Sequence, residues 1–144
     1  MAAGITRAFL AAWYGRFTST TPSRPALYTD LGGRFYHSDA PQNATLPYAV
    51  YELVDDRQDW QFGRNYRRLT VSVDQYSSVR STTEILTLMH DLDSLYDGSP
   101  LASTVFQRVS CNREFSNLSR LIDDVSGTPI WWALHQYQIT ISTT

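Results

Sequence analysis

Residues 130–142, IWWALHQYQITIS, alternate without interruption. Trp131, Ala133, His135, Tyr137, Ile139 and Ile141 share one side of an extended chain. Trp132, Leu134, Gln136, Gln138, Thr140 and Ser142 share the other. The pattern predicts one long strand, whose backbone groups require a sheet around it. Residues 66–76 repeat the pattern, with Leu69, Val71 and Val73 set against Thr70, Ser72 and Asp74. Residues 48–54 give a third strand and residues 105–113 a weaker fourth.

The entry to this sheet is the segment LGGRFYHSDAPQNATLPYAVYELV, residues 31–54. Gly32-Gly33 marks a turn. Arg34-Phe35-Tyr36 is short, aromatic and extended. A polar connector without helical period follows, and Pro47 biases Leu46 toward an extended backbone. Residues 55–65 then separate the strands at 48–54 and 66–76 as the polar tip of a long antiparallel hairpin.

Two helices are expected. In residues 4–17, Ile5, Ala8, Phe9, Ala12 and Trp13 lie at the spacing of a core-facing stripe. Ser81-Thr82-Thr83-Glu84 reads as a capping box opening a helix through Ile85, Leu88, Met89, Leu92, Leu95 and Tyr96, with Gly98 as a left-handed stop. Residues 18–25 read as a loop, residues 26–31 as a further helical turn, and residues 116–125 as a short helix or irregular excursion. The expected architecture is α+β: a four-stranded antiparallel sheet with an N-terminal and a middle helix on one face. Two helices cover one face only, yet Tyr48 with Val50, and Trp131 beside Trp132, leave both faces semi-apolar. Such an uncovered face points to a partner subunit.

At 144 residues the chain fits a single domain spanning residues 1–144, large enough for a core of its own. No stretch approaches the roughly 20 apolar residues of a membrane span, so no membrane partner is expected. The start of the chain lacks the basic leader of a signal peptide. A single cysteine, Cys111, excludes an internal disulfide and fits synthesis in a reducing compartment. The formal net charge of −2 gives no general attraction to nucleic acid.

All twelve basic residues are Arg, accompanied by nine Tyr, four Trp and six Phe. Aromatics and Arg are enriched in interface cores where Lys is depleted; a GC-rich genome produces the same bias. The basic cluster Arg64-Asn65-Tyr66-Arg67-Arg68, interleaved with an aromatic, could suit nucleic acid. The chain lacks the overall basic character of a nucleic-acid binder, which favours either plain charged residues at a hairpin base, balanced by Asp55, Asp56 and Asp59 across the turn, or a protein interface. Trp60 and Phe62, at a polar tip, are candidate anchors for a partner's pocket.

Catalytic chemistry is sparse. His37-Ser38-Asp39 and His90-Asp91-Leu92-Asp93 pair imidazole with carboxylate, but on a helix His90, Asp91 and Asp93 diverge. His135 fits a satisfied core position, and Cys111 a small buried hydrophobe. No phosphate loop, nucleophile elbow or zinc motif occurs. No catalytic residue, metal ligand or cofactor is expected.

Gly33-Arg34-Phe35, Ala40-Pro41 and Leu46-Pro47-Tyr48, followed by a polar hairpin, RRLTVSVDQYS and the helix STTEILTLMHDLDSLYDG, resemble the small tail-completion, or tail-terminator, proteins of tailed bacteriophages. The likeness covers most of the chain, with residues 18–25 and 114–127 longer than the usual pattern. It implies a non-enzymatic α+β subunit, made in the host cytoplasm, that assembles into a ring at the tail–head junction of the virion, usually a hexamer. Its implied partners are further copies of itself, the tail tube protein, the head connector or head-closure protein and, in a contractile tail, the sheath. DNA passes through the lumen without sequence-specific binding. The expected contact residues are Asp55, Asp56, Arg57, Asp59, Trp60, Phe62, Arg64, Arg67 and Arg68 on the hairpin and Tyr51, Trp131 and Trp132 on the sheet face. Another neck component, a head-closure or tube protein, is the alternative; a small-ligand module or enzyme with an aromatic pocket is a more distant one.

Overall fold

The structure, a computed structural model, describes residues 2–21, 23–61, 64–78, 81–98, 101, 103, 106–122 and 129–142. The elements follow the order α1 (Ala2–Thr18), α2 (Ala26–Leu31), β1 (Phe35–His37), β2 (Tyr48–Gln61), β3 (Arg64–Ser77), α3 (Thr83–Tyr96), β4 (Gln107–Ile122) and β5 (Pro129–Ser142). The strands form one sheet in the order β1-β2-β3-β5-β4.

The α+β class holds, but the sheet has five strands and is mixed. β1 joins its edge parallel to β2, with Phe35 opposite Ala49 and His37 opposite Tyr51. A parallel neighbour needs a crossover rather than a tight turn, and residues 38–47 supply it. That connector is pinned at both ends: Arg34 Nε donates to Pro47 O at 2.9 Å, and Ser38 N donates to Tyr51 O at 2.9 Å. The turn into β1 uses left-handed backbone at Gly32 and Gly33. A Cβ on Gly33 would also lie 3.3 Å from the Tyr28 ring.

Two further differences share one cause. Residues 55–61 are not a loop but the continuation of β2, paired with β3 to the end of both strands. Residues 116–122 are likewise strand, the second half of β4. Each is preceded by a bulge, between Leu53 and Asp55 in β2 and between Arg113 and Phe115 in β4. A bulge adds one residue and reverses the inside–outside alternation beyond it, so a strict period of two stops at that point.

The capping box is not formed. α3 starts at Thr83 after Thr82, which makes no side-chain cap, one residue later than a Ser81 cap requires. Glu84 instead accepts a 2.6 Å hydrogen bond from Ser77 Oγ, tying the helix start to the end of β3. At the other end Gly98 is left-handed as expected, and its N–H donates to Cys111 O at 2.6 Å.

The three helices among the described residues cover one face of the sheet. Phe9, Trp13 and Phe17 of α1, Leu27 and Leu31 of α2, and Ile85, Leu88 and Leu92 of α3 are buried against Ala49, Leu69, Val71, Val73, Ala133, Tyr137, Ile139 and Ile141. At the centre Trp13 stacks on Tyr96 with ring centroids 3.7 Å apart, and Tyr137 meets Trp13 edge-on at 5.8 Å. Tyr96 Oη donates to Trp13 O at 2.7 Å. Burial raises the Tyr96 phenol well above its ordinary pKa, so it remains a donor. Trp13→Ala should lower the unfolding free energy by about 3–5 kcal/mol, as for large aromatic truncations in a core, read as a lower midpoint in urea denaturation.

Candidate functional site

The face of the sheet opposite the helices follows from the register. Tyr48, Tyr76, Trp132 and Ser119 form one row across β2, β3, β5 and β4; Val50, Asp74, Leu134 and Asn117 form the next. Tyr36 of β1 extends the second row. Further along lie Glu52, Ser72, Gln136 and Phe115, then Asp55, Thr70, Gln138 and Asn112, and finally Arg57, Arg68, Thr140 and Ser110. The face therefore grades from aromatic to amide and hydroxyl to charged.

The aromatic end is ordered by contacts within it. Tyr48 and Tyr76 have ring centroids 5.1 Å apart, Tyr36 and Tyr48 6.1 Å. Trp132 Nε1 donates to Asp74 Oδ1 at 3.0 Å. Partial burial raises the Asp74 carboxyl above its ordinary value; the Trp132 bond pulls it down and Glu52 pushes it up. Burial, then Asp74 and Tyr48, push the Tyr76 phenol up to about 12. On the same face Phe115 is 45% and Leu121 42% exposed, large values for such side chains.

Of the three sheet-face residues expected at an interface, Trp132 alone lies here. Tyr51 is a correction: it is 6% exposed, on the helix side, between Phe35 at 4.7 Å and His37 at 5.0 Å. Trp131 shares that side, its ring 5.3 Å from the Arg120 guanidinium. Both follow from parity, because Tyr51 is in register with Val73 and Trp131 with Ser77. Tyr36, Tyr48, Tyr76, Asp74 and Phe115 were not expected here. Alternation at Tyr48/Val50 gave the only hint, and the β4 bulge concealed Phe115.

The hairpin residues divide similarly. Asp56 accepts from Arg67 at 2.8 Å and from Thr6 Oγ1 at 2.8 Å. Both Asp56 and Arg67 thus brace α1 against the hairpin instead of facing outward. Asp55 and Arg57 pair at 2.7 Å on the open side, where Arg68 is also exposed. Asp59, Trp60 and Arg64 hold ladder positions opposite Tyr66, Asn65 and Gln61. Phe62 lies outside the described residues.

The remaining polar groups tie elements together. His135 Nε2 lies 3.1 Å from Gln75 Oε1, and Gln75 Nε2 donates to Leu88 O at 2.8 Å. Burial lowers the His135 pKa to about 4, so the ring is neutral near pH 7. Asp93 accepts from Tyr137 Oη at 2.6 Å and pairs with Arg113, joining α3 to β5 and β4. Cys111 is buried and its thiol donates to Tyr96 O at 3.1 Å. Among the described residues, no group of three or more His, Cys, Asp and Glu is placed to hold a metal ion, and no helix is long and apolar enough to cross a membrane.

No protein-family model matches the chain, and no curated protein sequence does. Among solved structures, the fold matches a chain in the virion of a native gene transfer agent (GTA) particle. The TM-score is 0.69 at 8% identity, covering 95% of this chain and 96% of that one. At that identity the likeness is one of fold, and it extends over nearly all of both chains.

The Trp132–Asp74 bond carries a test. Trp132→Phe keeps the ring and removes the donor that lowers the Asp74 pKa, so that pKa should rise. The measurement is the pH dependence of the Asp74 carboxyl carbon shift by NMR.

Proposed function

We propose that this protein is a structural virion subunit that assembles into a ring, a hexamer, at the tail–head junction. There it ends tail tube polymerisation and joins the tail to the head connector, leaving a lumen for DNA. The observation that carries this reading is the fold agreement, over nearly all of both chains, with a chain of a virion particle. The sequence resemblance to tail-terminator proteins supplies the position in the particle. The open face supplies a physical reason to assemble, since Phe115, Leu121, Trp132 and the tyrosine rows present apolar area that a neighbour would remove from water.

On this reading the mechanism is geometric. Neighbouring subunits bury the aromatic end of the open face. The charged end, with Asp55, Arg57 and Arg68, and the hairpin tip, with Trp60 and Phe62, contact tube or connector. A net charge of −2 suits a ring through which DNA passes without sticking.

Native mass spectrometry of the protein with and without its tube protein should show a discrete ring, formed alone or on the tube. A lasting monomer under both conditions, with a tight small ligand, would favour a ligand-binding module instead. Imaging the protein elsewhere in the neck would favour a head-closure or tube role. Phe115→Asp should abolish the ring while leaving the urea midpoint nearly unchanged, because Phe115 is exposed in the subunit. Trp60→Ala with Phe62→Ala should weaken tube or connector docking more than folding; a variant that docks normally but unfolds removes those two residues from the docking surface.

A further inference from the structure

The edge of a sheet presents a row of N–H and C=O groups that a further strand can pair. Two stretches of edge are open in this subunit. β1 has only three residues and covers β2 at Ala49, Val50 and Tyr51. From Glu52 to Gln61, β2 is paired with β3 on one side, and among the described residues none hydrogen-bonds its backbone on the other. β4 forms the opposite edge. Its first half is covered by the end of α3: Gly98 N donates to Cys111 O, and Arg113 N donates to Asp97 Oδ1 at 2.9 Å. From Glu114 to Ile122 no such cover is present among the described residues. Each open stretch starts beside a bulge of its strand.

Exposed apolar side chains gather on these two stretches. Of the five large hydrophobic side chains exposed among the described residues, three are Val54 on β2, at 55%, and Phe115 and Leu121 on β4. Neither stretch holds a Pro or a Lys, residues with which edges commonly discourage a further strand.

We propose that the open stretch of β4 in one subunit pairs with the open stretch of β2 in the next, so that the sheet continues from copy to copy. The inference rests on the ring reading above and specifies the joint between its subunits.

Strand direction fits a second copy of this chain as the occupant. β2 opposes β3, β3 opposes β5 and β5 opposes β4, so β2 and β4 run in opposite directions. Rotation about a ring axis preserves those directions, and β4 meets the next β2 antiparallel, like its pairing with β5. The two stretches are different surfaces, so the contact is head-to-tail and repeats around a ring instead of ending at a dimer.

Side-chain alternation fits as well. Phe115, Asn117 and Ser119 share the open face with Asp55 and Arg57. With the helices of both subunits on one side, odd positions of β4 stand opposite odd positions of β2 beyond its bulge. Phe115 and Leu121 then gain the cross-strand neighbours that an edge strand lacks in the single subunit.

The two stretches also lie at opposite ends of the sheet. That of β4 runs towards the row of Tyr48 and Trp132, and that of β2 towards the row of Arg57 and Arg68. Each subunit is therefore stepped along the strands relative to the last. A closed barrel absorbs such a step by tilting its strands, typically by about 35–45°.

The test combines amide hydrogen exchange on the wild type, as free subunit and as ring formed alone or on the tube, with disulfide trapping. On assembly, edge amides within residues 52–61 and 114–122 should gain about tenfold or more in protection, while residues 111–113, already covered, change little. For trapping, Ser119→Cys is combined in turn with Asp55→Cys, Arg57→Cys, Gln58→Cys, Asp59→Cys or Gln61→Cys. Intersubunit disulfides should form with an odd position and not with Gln58→Cys. Replacing Ser119→Cys by Asn117→Cys should move the best partner two residues towards the hairpin tip, as antiparallel pairing requires. A ring in which neither stretch gains protection overturns this joint and leaves the ring reading standing. So do disulfides that favour the even position or shift in the parallel sense, and so does a dimer joined through β4 alone. Absence of any ring, with or without the tube, overturns both.

Discussion

The contact on which the other elements depend is the stack of Trp13 on Tyr96, with Tyr137 against its edge. It places one large ring from each of α1, α3 and β5 at a single point. These elements are far apart in sequence, and the Tyr96 hydrogen bond to Trp13 O spans 83 residues. Three mutually contacting rings fix both the distance and the rotation of two helices over the sheet, which dispersed aliphatic contacts do less sharply. The polar ties at the rim, Tyr137 and Arg113 to Asp93 and Thr6 and Arg67 to Asp56, then have fixed positions to span.

With every helix committed to one side, the sheet has two surfaces of different character. The inner one is mostly apolar, broken at its centre by the Gln75–His135 pair, whose hydrogen bonds to each other and to Leu88 O offset the cost of burying polar groups there, and towards its rim by the tied side chains of Ser77, Asp56, Arg67 and Arg113. The outer one carries aromatics that the chain's own helices do not cover. The fold agrees with that of a chain in a virion particle at 8% identity. So low an identity is compatible with a shared fold because layer packing constrains pattern and volume far more than residue identity.

Much of this was legible in the sequence. Phe9 and Trp13 repeat at helical spacing, and the 130–142 alternation sorts its two faces correctly, so α1, α3, β3 and β5 could be placed from periodicity. The rest was hidden for physical reasons. Bulges at Leu53/Asp55 and Arg113/Phe115 reverse the alternation and make strand residues look like loop. Glu84 finds Ser77 instead of its own helix, a choice set by tertiary proximity and not by local spacing. The face assignment of Tyr51 depends on pairing with β3, and Asp56 and Arg67 look like a surface ion pair until Thr6 joins them. Most of the candidate surface was missed because it is assembled from single residues on five strands, which no local pattern reports.

The gradation of the outer face, from Tyr48, Tyr76 and Trp132 at one end to Arg57 and Arg68 at the other, makes that surface directional. A partner turned through half a circle upon it would exchange ring-on-ring for ring-on-guanidinium contacts, a different set of pairings from the first. On the proposed reading such a surface would select heading as well as neighbour, and each added molecule would inherit the orientation of the one before it. Polarity of a whole assembly can in this way be written into one side of a single sheet.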